Sequence, residues 1–206
     1  MSTLRLLLVR HGQTSANVAR ALDSRPPGAP LTDLGHEQAA TVGAQLATSP
    51  VVAVYASTAT RAQETAQHIA SPHGLDLQVV DGVQETFCGD LEGRTDDDAL
   101  RQFIVIYDQW TDGTLSARMP GGESGAEIHE RFMTAVAQIR AQHADGLVVV
   151  VSHGGMIRLG AEWLAENVDG RVASIGILPN TGHVLLEADG ETWRCLEWTG
   201  LELMHD

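Results

Sequence analysis

The chain has 206 residues, of which 43% are hydrophobic. This length and composition predict a globular protein with a single domain over residues 1–206 and exclude a disordered chain. A formal net charge of −14 argues against nucleic-acid and anionic-membrane partners, because both require a basic surface. All 13 basic residues are Arg, and the absence of Lys excludes a Walker-type phosphate loop and lysine Schiff-base chemistry.

Two further features predict a cytoplasmic protein without a membrane partner. The apolar run near the N-terminus is interrupted by Arg5 and Arg10 and is too short for a signal peptide or a membrane span. Cys88 and Cys195 are the only cysteines, which disfavours a disulfide framework and fits a reducing compartment.

The hydrophobic patterning predicts strands that alternate with helices along most of the chain. In chain order these are a strand over 4–9, a helix over 31–47 capped by Thr32 or Asp33, a strand over 51–57, a helix over 61–71, a peripheral strand over 75–80, helices over 97–110 and 123–143, a Val-rich strand over 147–152, a helix over 155–168, and two strands over 182–188 and 192–198. Asp189 and Gly190 between the last two strands are a hairpin signal.

This order predicts an α/β fold, a three-layer α/β/α sandwich whose central sheet is mainly parallel and carries an antiparallel hairpin at one edge. The edge of that hairpin suggests pairing in a homodimer. In such a sheet, ligands bind beyond the carboxyl ends of the strands.

Charged and polar residues follow three of the predicted strands at that edge. Arg10 and His11 follow the first strand, Arg61 lies in the first turn after the second, and His153 follows the Val-rich strand. Because parallel strands end at the same edge, we expect two imidazoles and two guanidiniums to form an anion site there. Helices beginning after Gly12 and Gly155 would add backbone N–H donors.

Six short motifs occur in an order that resembles the histidine phosphatase superfamily, also called the phosphoglycerate mutase-like or RHG-motif family. They are RHGQTSAN (10–17), PLTDLG (30–35), STATRAQET (57–65), ETFCGDLEG (85–93), GGES (121–124) and SHGG (152–155). One position departs from the family pattern, since Thr58 stands where Pro is usual. Each motif is weak evidence alone, but six in the same order and spacing are strong evidence.

The resemblance implies a catalytic set of five residues. His11 is the expected nucleophile, and it must be neutral to accept a phosphoryl group. Arg10, Arg61 and a protonated His153 are expected to hold the phosphoryl oxygens and to lower the His11 pKa. Glu85 is the expected proton donor to the leaving oxygen and then the base for the hydrolytic water. No metal and no cofactor is expected, because the arginines and imidazoles supply the positive charge.

Four residues are expected to bind substrate. Thr14 and Asn17 belong to the first motif, and Asn17 would contribute a neutral donor to the phosphate pocket. Gly154 lies in the last motif, where its backbone reaches the pocket. Arg25 lies in a loop that overhangs the pocket in the family, but the sequence there departs from the usual pattern, so its role stays open.

Structural interpretations of these residues remain open at this point. Arg61 could pair with Glu64 on a helix surface, and Asn17 could be an ordinary polar residue on a helix side. Glu85 could lie in a solvated turn, with Glu92 as a competing acid.

Two other patterns suggest chemistry that we reject. The stretch from Cys88 to Arg94 satisfies the Cys-x5-Arg pattern of cysteine-dependent phosphatases, but its acidic residues would repel phosphate. Residues 96–98 are all Asp, which fits a solvated helix start better than a metal site. Phe103, Trp110 and Met119 could line a pocket, but we expect them in the core.

The favoured function is hydrolysis of a phosphomonoester, through a phosphohistidine, on a small phosphorylated metabolite. A phosphoglycerate mutase is the alternative, but the segment from Gly93 to Gly121 is short and the Lys residues that mutases use are absent. A catalytically silent relative that binds phosphorylated ligands is a second alternative, which the presence of all four cationic and imidazole residues disfavours.

Overall fold

The computed structural model describes residues 3–202 and shows the predicted six-stranded sheet. The strands are β1 (Leu4–Arg10), β2 (Val51–Ala56), β3 (Leu77–Val79), β4 (Gly146–Ser152), β5 (His183–Asp189) and β6 (Thr192–Trp198). The helices are α1 (Ser15–Ala19), α2 (Asp33–Leu46), α3 (Thr60–Ala70), α4 (Asp97–Thr111), α5 (Gly125–Gln142), α6 (Gly154–Leu164) and α7 (Gly170–Ile175). The remaining residues of the predicted domain, 1–2 and 203–206, lie outside the described residues, and the single domain stays a prediction.

The sheet is mainly parallel, with the strand order β3-β2-β4-β1-β5-β6. Strands β1 to β4 pair in parallel, whereas β5 and β6 form the predicted antiparallel hairpin at one edge. This arrangement makes β1, β4 and β2 neighbours, so that their carboxyl ends lie side by side. The homodimer expected through the β6 edge stays a prediction.

Helices cover both faces of the sheet, because successive side chains of a strand point to opposite sides. On β1, Leu6 and Leu8 belong to the core cluster that includes Phe132 of α5 and other buried residues from α4 and α6. Leu7 and Val9 belong to the second cluster, formed with α2 and α3. The Val run of β4 is buried on both faces, as expected for a central parallel strand.

Helix boundaries agree with the sequence interpretation at most ends. Thr32 is the N-cap of α2, with its hydroxyl accepting the backbone N–H of Gly35. Asp96 caps α4, and Asp97 and Asp98 lie in its first turn, so the Asp run is the predicted helix start. None of the helices within residues 3–202 is long and apolar enough to cross a membrane.

Candidate active site

The ends of β1, β2 and β4 bring the predicted imidazoles and guanidiniums together. The His11 and His153 rings lie with their centroids 5.1 Å apart, at an angle of 60°. Arg61, in the first turn of α3, is almost fully buried and donates from Nε to Nε2 of His11 across 3.2 Å. Arg10 lines the same cavity. The convergence expected from parallel topology is therefore observed.

The contacts of His11 fix the position of its proton. Nδ1 lies 2.7 Å from the carbonyl oxygen of Gly12, which can only accept a hydrogen bond, so Nδ1 carries the proton. The Nε–H of Arg61 can only donate, so Nε2 presents a lone pair. Burial, followed by the charge of Arg61, lowers the His11 pKa well below 6.5. The neutral imidazole is thus the resting form.

His153 is fully buried and has one free ring nitrogen. Its Nε2 lies 2.7 Å from the hydroxyl of Ser57, while Nδ1 has no hydrogen-bond partner in the described structure. Burial and the charge of Arg61 lower its pKa well below 6.5. The expectation of a protonated His153 is therefore wrong, because burial and the neighbouring cations disfavour the charged form of the ring.

Arg61 has an acidic partner, Asp23, that was not predicted from the sequence. Asp23 accepts from Nη1 of Arg61 at 3.2 Å through its carboxylate, and from Nη2 at 2.8 Å through its backbone carbonyl. Gly28 closes this loop with a φ of +67°, and a side chain there would collide with Arg61. Glu64 instead accepts the backbone N–H of Leu31, so the surface pairing of Arg61 with Glu64 is wrong.

Glu85 reaches the cavity from the segment after β3 and lies against the first turn of α6. Its carboxylate accepts backbone N–H groups from Gly155 at 3.1 Å and from Met156 at 2.9 Å. A Cβ at position 155 would lie 2.8 Å from the carboxylate, so the glycine allows this contact. These bonds fix Glu85 on the wall of the cavity, so the solvated-turn interpretation is wrong.

Arg131 of α5 positions this segment. Its guanidinium donates to the backbone carbonyls of Gly82 and Gln84 at 2.7 and 2.8 Å, and it forms an ion pair with Glu123 at 2.7 Å. Glu92, the competing acid, accepts the backbone N–H groups of Ser24 and Arg25. Glu92 does not line the cavity, so Glu85 is the acid of that motif that faces it.

Asn17 lies on the cavity wall with its amide oriented by two bonds. Its Oδ1 accepts from the backbone N–H of Thr14 and from Nδ2 of Asn180, both at 3.1 Å. No hydrogen bond in the described part of the chain uses Asn17 Nδ2, which leaves an amide donor for the cavity. Asn180 also donates to the carbonyl of His11, and it was not among the residues predicted from the sequence.

Two predicted substrate-binding residues are not at the cavity. Thr14 is fully buried and caps α1, with its hydroxyl accepting the N–H of Asn17, so its role is structural. Arg25 is exposed and is not part of the cavity wall, because its guanidinium lies over the ring of Phe87, 4.8 Å from the centroid. Gly154 does line the cavity and packs beside Arg10.

The cavity has a volume of about 260 Å³. Besides the residues already described, its wall includes an arginine, two aromatic residues and several aliphatic ones: Arg158, Phe103, Tyr107, Ala21, Leu22, Ile177 and Leu178. Trp110 and Met119 are core residues as expected, whereas Phe103 contributes to the wall.

The Cys-x5-Arg pattern does not form an anion loop. Cys88 is buried, and burial raises the pKa of its thiol to about 12, so it is not a thiolate nucleophile. Arg94 lies in an exposed ion pair with Asp96. Within residues 3–202, no three His, Cys, Asp or Glu side chains are grouped to hold a metal ion.

Comparison with known proteins identifies the class. The family model described as histidine phosphatase superfamily (branch 1) matches residues 6–200, and the chain belongs to that superfamily, as the motifs predicted. The chain is 31% identical over 197 residues to phosphoglycerate mutase-like protein 4 of Arabidopsis thaliana, covering 94% of this chain and 84% of that protein.

Solved structures give the same result for the fold. A mycobacterial glucosyl-3-phosphoglycerate phosphatase, described as a complex with VO3, superposes with a TM-score of 0.82 at 27% identity, over 94% of this chain and 98% of that one. The alpha-ribazole phosphatase from Shigella flexneri gives a TM-score of 0.78 at 25% identity, over 96% and 99% of the two chains.

Proposed function

We propose that the protein is a metal-independent phosphomonoester hydrolase that acts on a small phosphorylated metabolite through a phosphohistidine intermediate. The observation that carries this proposal is the fixed tautomer of His11, whose Nε2 lone pair faces the cavity side occupied by Arg61. Two structural relatives are named as phosphatases of phosphorylated metabolites, which supports the same class of reaction.

In the first step, the Nε–H of Arg61 moves from His11 Nε2 to a phosphoryl oxygen of the bound ester. The freed lone pair of Nε2 attacks phosphorus, and the bond to the ester oxygen breaks. The buried cation Arg61 and the cavity-lining Arg10 neutralise the charge of the phosphoryl oxygens. Arg10 Nε and His153 Nδ1 are buried and without a partner in the described structure, so each has a position to donate to an oxygen of the transferred group. For His153, this requires its Nδ1 to carry the proton.

Glu85 is the proposed acid and base. It donates a proton to the leaving oxygen, then removes one from the water that attacks the phosphohistidine, which regenerates His11 and releases inorganic phosphate. Asp23 also lines the cavity, but its carboxylate is hydrogen-bonded to Arg61 and to the N–H of Ala29, so we assign it the positioning of Arg61. The positive charge that a metal would bring is supplied by the two guanidiniums.

The test is hydrolysis of para-nitrophenyl phosphate in the presence of EDTA, with acid-quenched detection of a phosphorylated protein. We expect His11→Ala to lower kcat by at least about a thousandfold and to abolish the acid-labile phosphoenzyme. His36→Ala, at an exposed position of α2, is the control and should retain activity. Full activity in His11→Ala, or complete inhibition of the wild type by EDTA, would contradict the proposal.

Phosphoglycerate mutase activity is the second candidate, because a relative carries a mutase-like name. Incubation with 3-phosphoglycerate separates the two activities, since a hydrolase releases inorganic phosphate and a mutase forms 2-phosphoglycerate. Efficient isomerisation with little phosphate released would reverse our assignment. A silent relative would bind vanadate at this site but turn over no phosphate ester.

A further inference from the structure

Arg158 of α6 contributes a third guanidinium to the cavity that contains His11 and Arg10. Its plane lies over the Tyr107 ring, with Cζ 4.7 Å from the ring centroid. The hydroxyl of Tyr107 in turn donates to the carbonyl of Gly155 at 2.8 Å. Arg158 is therefore held on a rigid aromatic surface instead of extending freely into solvent.

The donors of Arg158 are only partly used. Nε and Nη2 each donate to a backbone carbonyl, of Ala173 and Ser174 respectively, at 2.6 Å. No hydrogen bond in the described part of the chain uses Nη1, and no carboxylate there lies within ion-pair distance. Because a guanidinium stays charged in proteins, this leaves an uncompensated cation with free N–H groups on the cavity wall.

Seven of the 13 arginines form no ion pair with Asp or Glu within residues 3–202, and only two of these seven, Arg10 and Arg158, line the cavity. Six arginines within residues 3–202 form ion pairs with Asp or Glu: Arg5, Arg61, Arg94, Arg101, Arg118 and Arg131. Arg158 lines a ligand cavity without such a pair, although the chain has 27 acidic residues. A ligand that carries its own negative charge would provide the missing partner.

We propose that Arg158 is a specificity-determining residue that binds a carboxylate of the substrate, at a site separate from the phosphoryl site formed by His11 and Arg61. This inference rests on the proposed hydrolase function and narrows its substrate class to small phosphomonoesters that carry a carboxylate. The planar fork of Arg matches a carboxylate, and a cavity of about 260 Å³ suits a small molecule. The aliphatic and aromatic wall residues Leu22, Phe103 and Leu178 would contact the carbon chain.

The experiment compares 3-phosphoglycerate with glycerol 3-phosphate, which has a hydroxymethyl group in place of the carboxylate. The quantity measured is kcat/KM for 3-phosphoglycerate divided by kcat/KM for glycerol 3-phosphate. We expect Arg158→Gln to lower this ratio by about tenfold or more, because KM for 3-phosphoglycerate rises. Arg158→Lys retains the charge but loses the planar fork and the stacking on Tyr107, so we expect a ratio between those of the wild type and Arg158→Gln. Arg171→Gln, at an exposed position of α7 away from the cavity, is the matched control and should leave the ratio unchanged.

A purely structural role for Arg158, through its bonds to the end of α7, would lower both kcat/KM values equally and leave the ratio unchanged. That outcome overturns the inference while the hydrolase proposal stands. If the wild-type protein hydrolyses neither ester nor para-nitrophenyl phosphate, the hydrolase proposal fails, and the inference fails with it. A ratio in Arg158→Lys as low as in Arg158→Gln would also contradict a role for the charge.

Discussion

Two Arg–Asp ion pairs in this protein contain the same groups but differ in burial. The side chains of Arg61 and Asp23 are 2% and 20% exposed, whereas those of Arg101 and Asp98 are 71% and 85% exposed. A buried cation that loses its partner keeps its desolvation cost without compensation. An exposed cation is solvated by water in either case, so its pair contributes little.

We therefore expect Asp23→Ala to lower the free energy of unfolding by about 2 kcal/mol, and Asp98→Ala to change it by less than about 0.5 kcal/mol. Urea denaturation monitored by circular dichroism measures both. Loss of the Asp23 carboxylate also removes one of the three hydrogen bonds that hold Arg61 beside His11, so hydrolysis should fall with it. Equal stabilities of the two variants would show that the Arg61–Asp23 pair does not stabilise the fold.

The residues of the site differ in how well the sequence could predict them. Arg10, His11 and His153 follow directly from strand ends, so the parallel topology places them together. Asp23 and Arg158 could not be found in this way, because their positions depend on a loop path and on the rotation of a helix. The same limit explains Arg25, whose guanidinium lies over Phe87, a contact that depends on the path of the loop.

Helix α6 links the site to an acidic cluster at its other end. Its first turn holds Glu85, and Glu162, near its last turn, faces Asp112 at the end of α4 and Asp169 at the start of α7. Burial, followed by the charges of Asp169 and Asp112, raises the Glu162 pKa to about 7. One carboxylate oxygen of Glu162 is buried and has no partner within the described residues.

A carboxyl whose pKa is raised in the folded state destabilises the protein once it ionises. The cost is absent below the ordinary pKa of 4.5, grows as pH rises to about 7, and is constant above that. The Glu162 side chain is partly exposed, so solvent screening reduces this cost. We therefore expect Glu162→Gln to raise the free energy of unfolding by about 1 kcal/mol at pH 8 and by almost nothing at pH 4.5. Urea denaturation at the two pH values measures this, with exposed Glu166→Gln as the control. A stabilisation that is equal at both pH values would contradict the assignment to ionisation.

One short helix, α7, and one helix end were not predicted from the sequence, and the helix expected after Gly12, which is α1, was predicted without bounds. Helices α1 and α7 contain 5 and 6 residues, too few for a hydrophobic period to be recognised. The predicted helix over 155–168 ends at Leu164, because Ala165 adopts an extended conformation and bridges to Trp193 of β6. Thr14 and Asn17 do form a capping box, but Asn replaces the usual Glu or Gln, which makes the signal weak.

At the scale of the whole molecule, the sheet holds two histidines in an environment that resists protonation. His11 and His153 both have pKa values well below 6.5, mainly because they are buried. In the unfolded chain both would titrate near 6.5. Below that pH the unfolded state binds more protons than the folded state, so the free energy of unfolding falls as pH decreases through 6.5.

With two such groups, we expect a loss on the order of 2 kcal/mol between pH 7.5 and pH 5.5, measured by urea denaturation in a buffer free of phosphate. The measurement is made in the Glu162→Gln protein, because ionisation of Glu162 has the opposite pH dependence over part of this range. Adding His11→Gln and His153→Gln should remove most of the loss, whereas adding exposed His36→Gln should not. If the loss persists in the double histidine variant, carboxylates or other histidines cause it. The cavity would then not impose the neutral state on which nucleophilic attack by His11 depends.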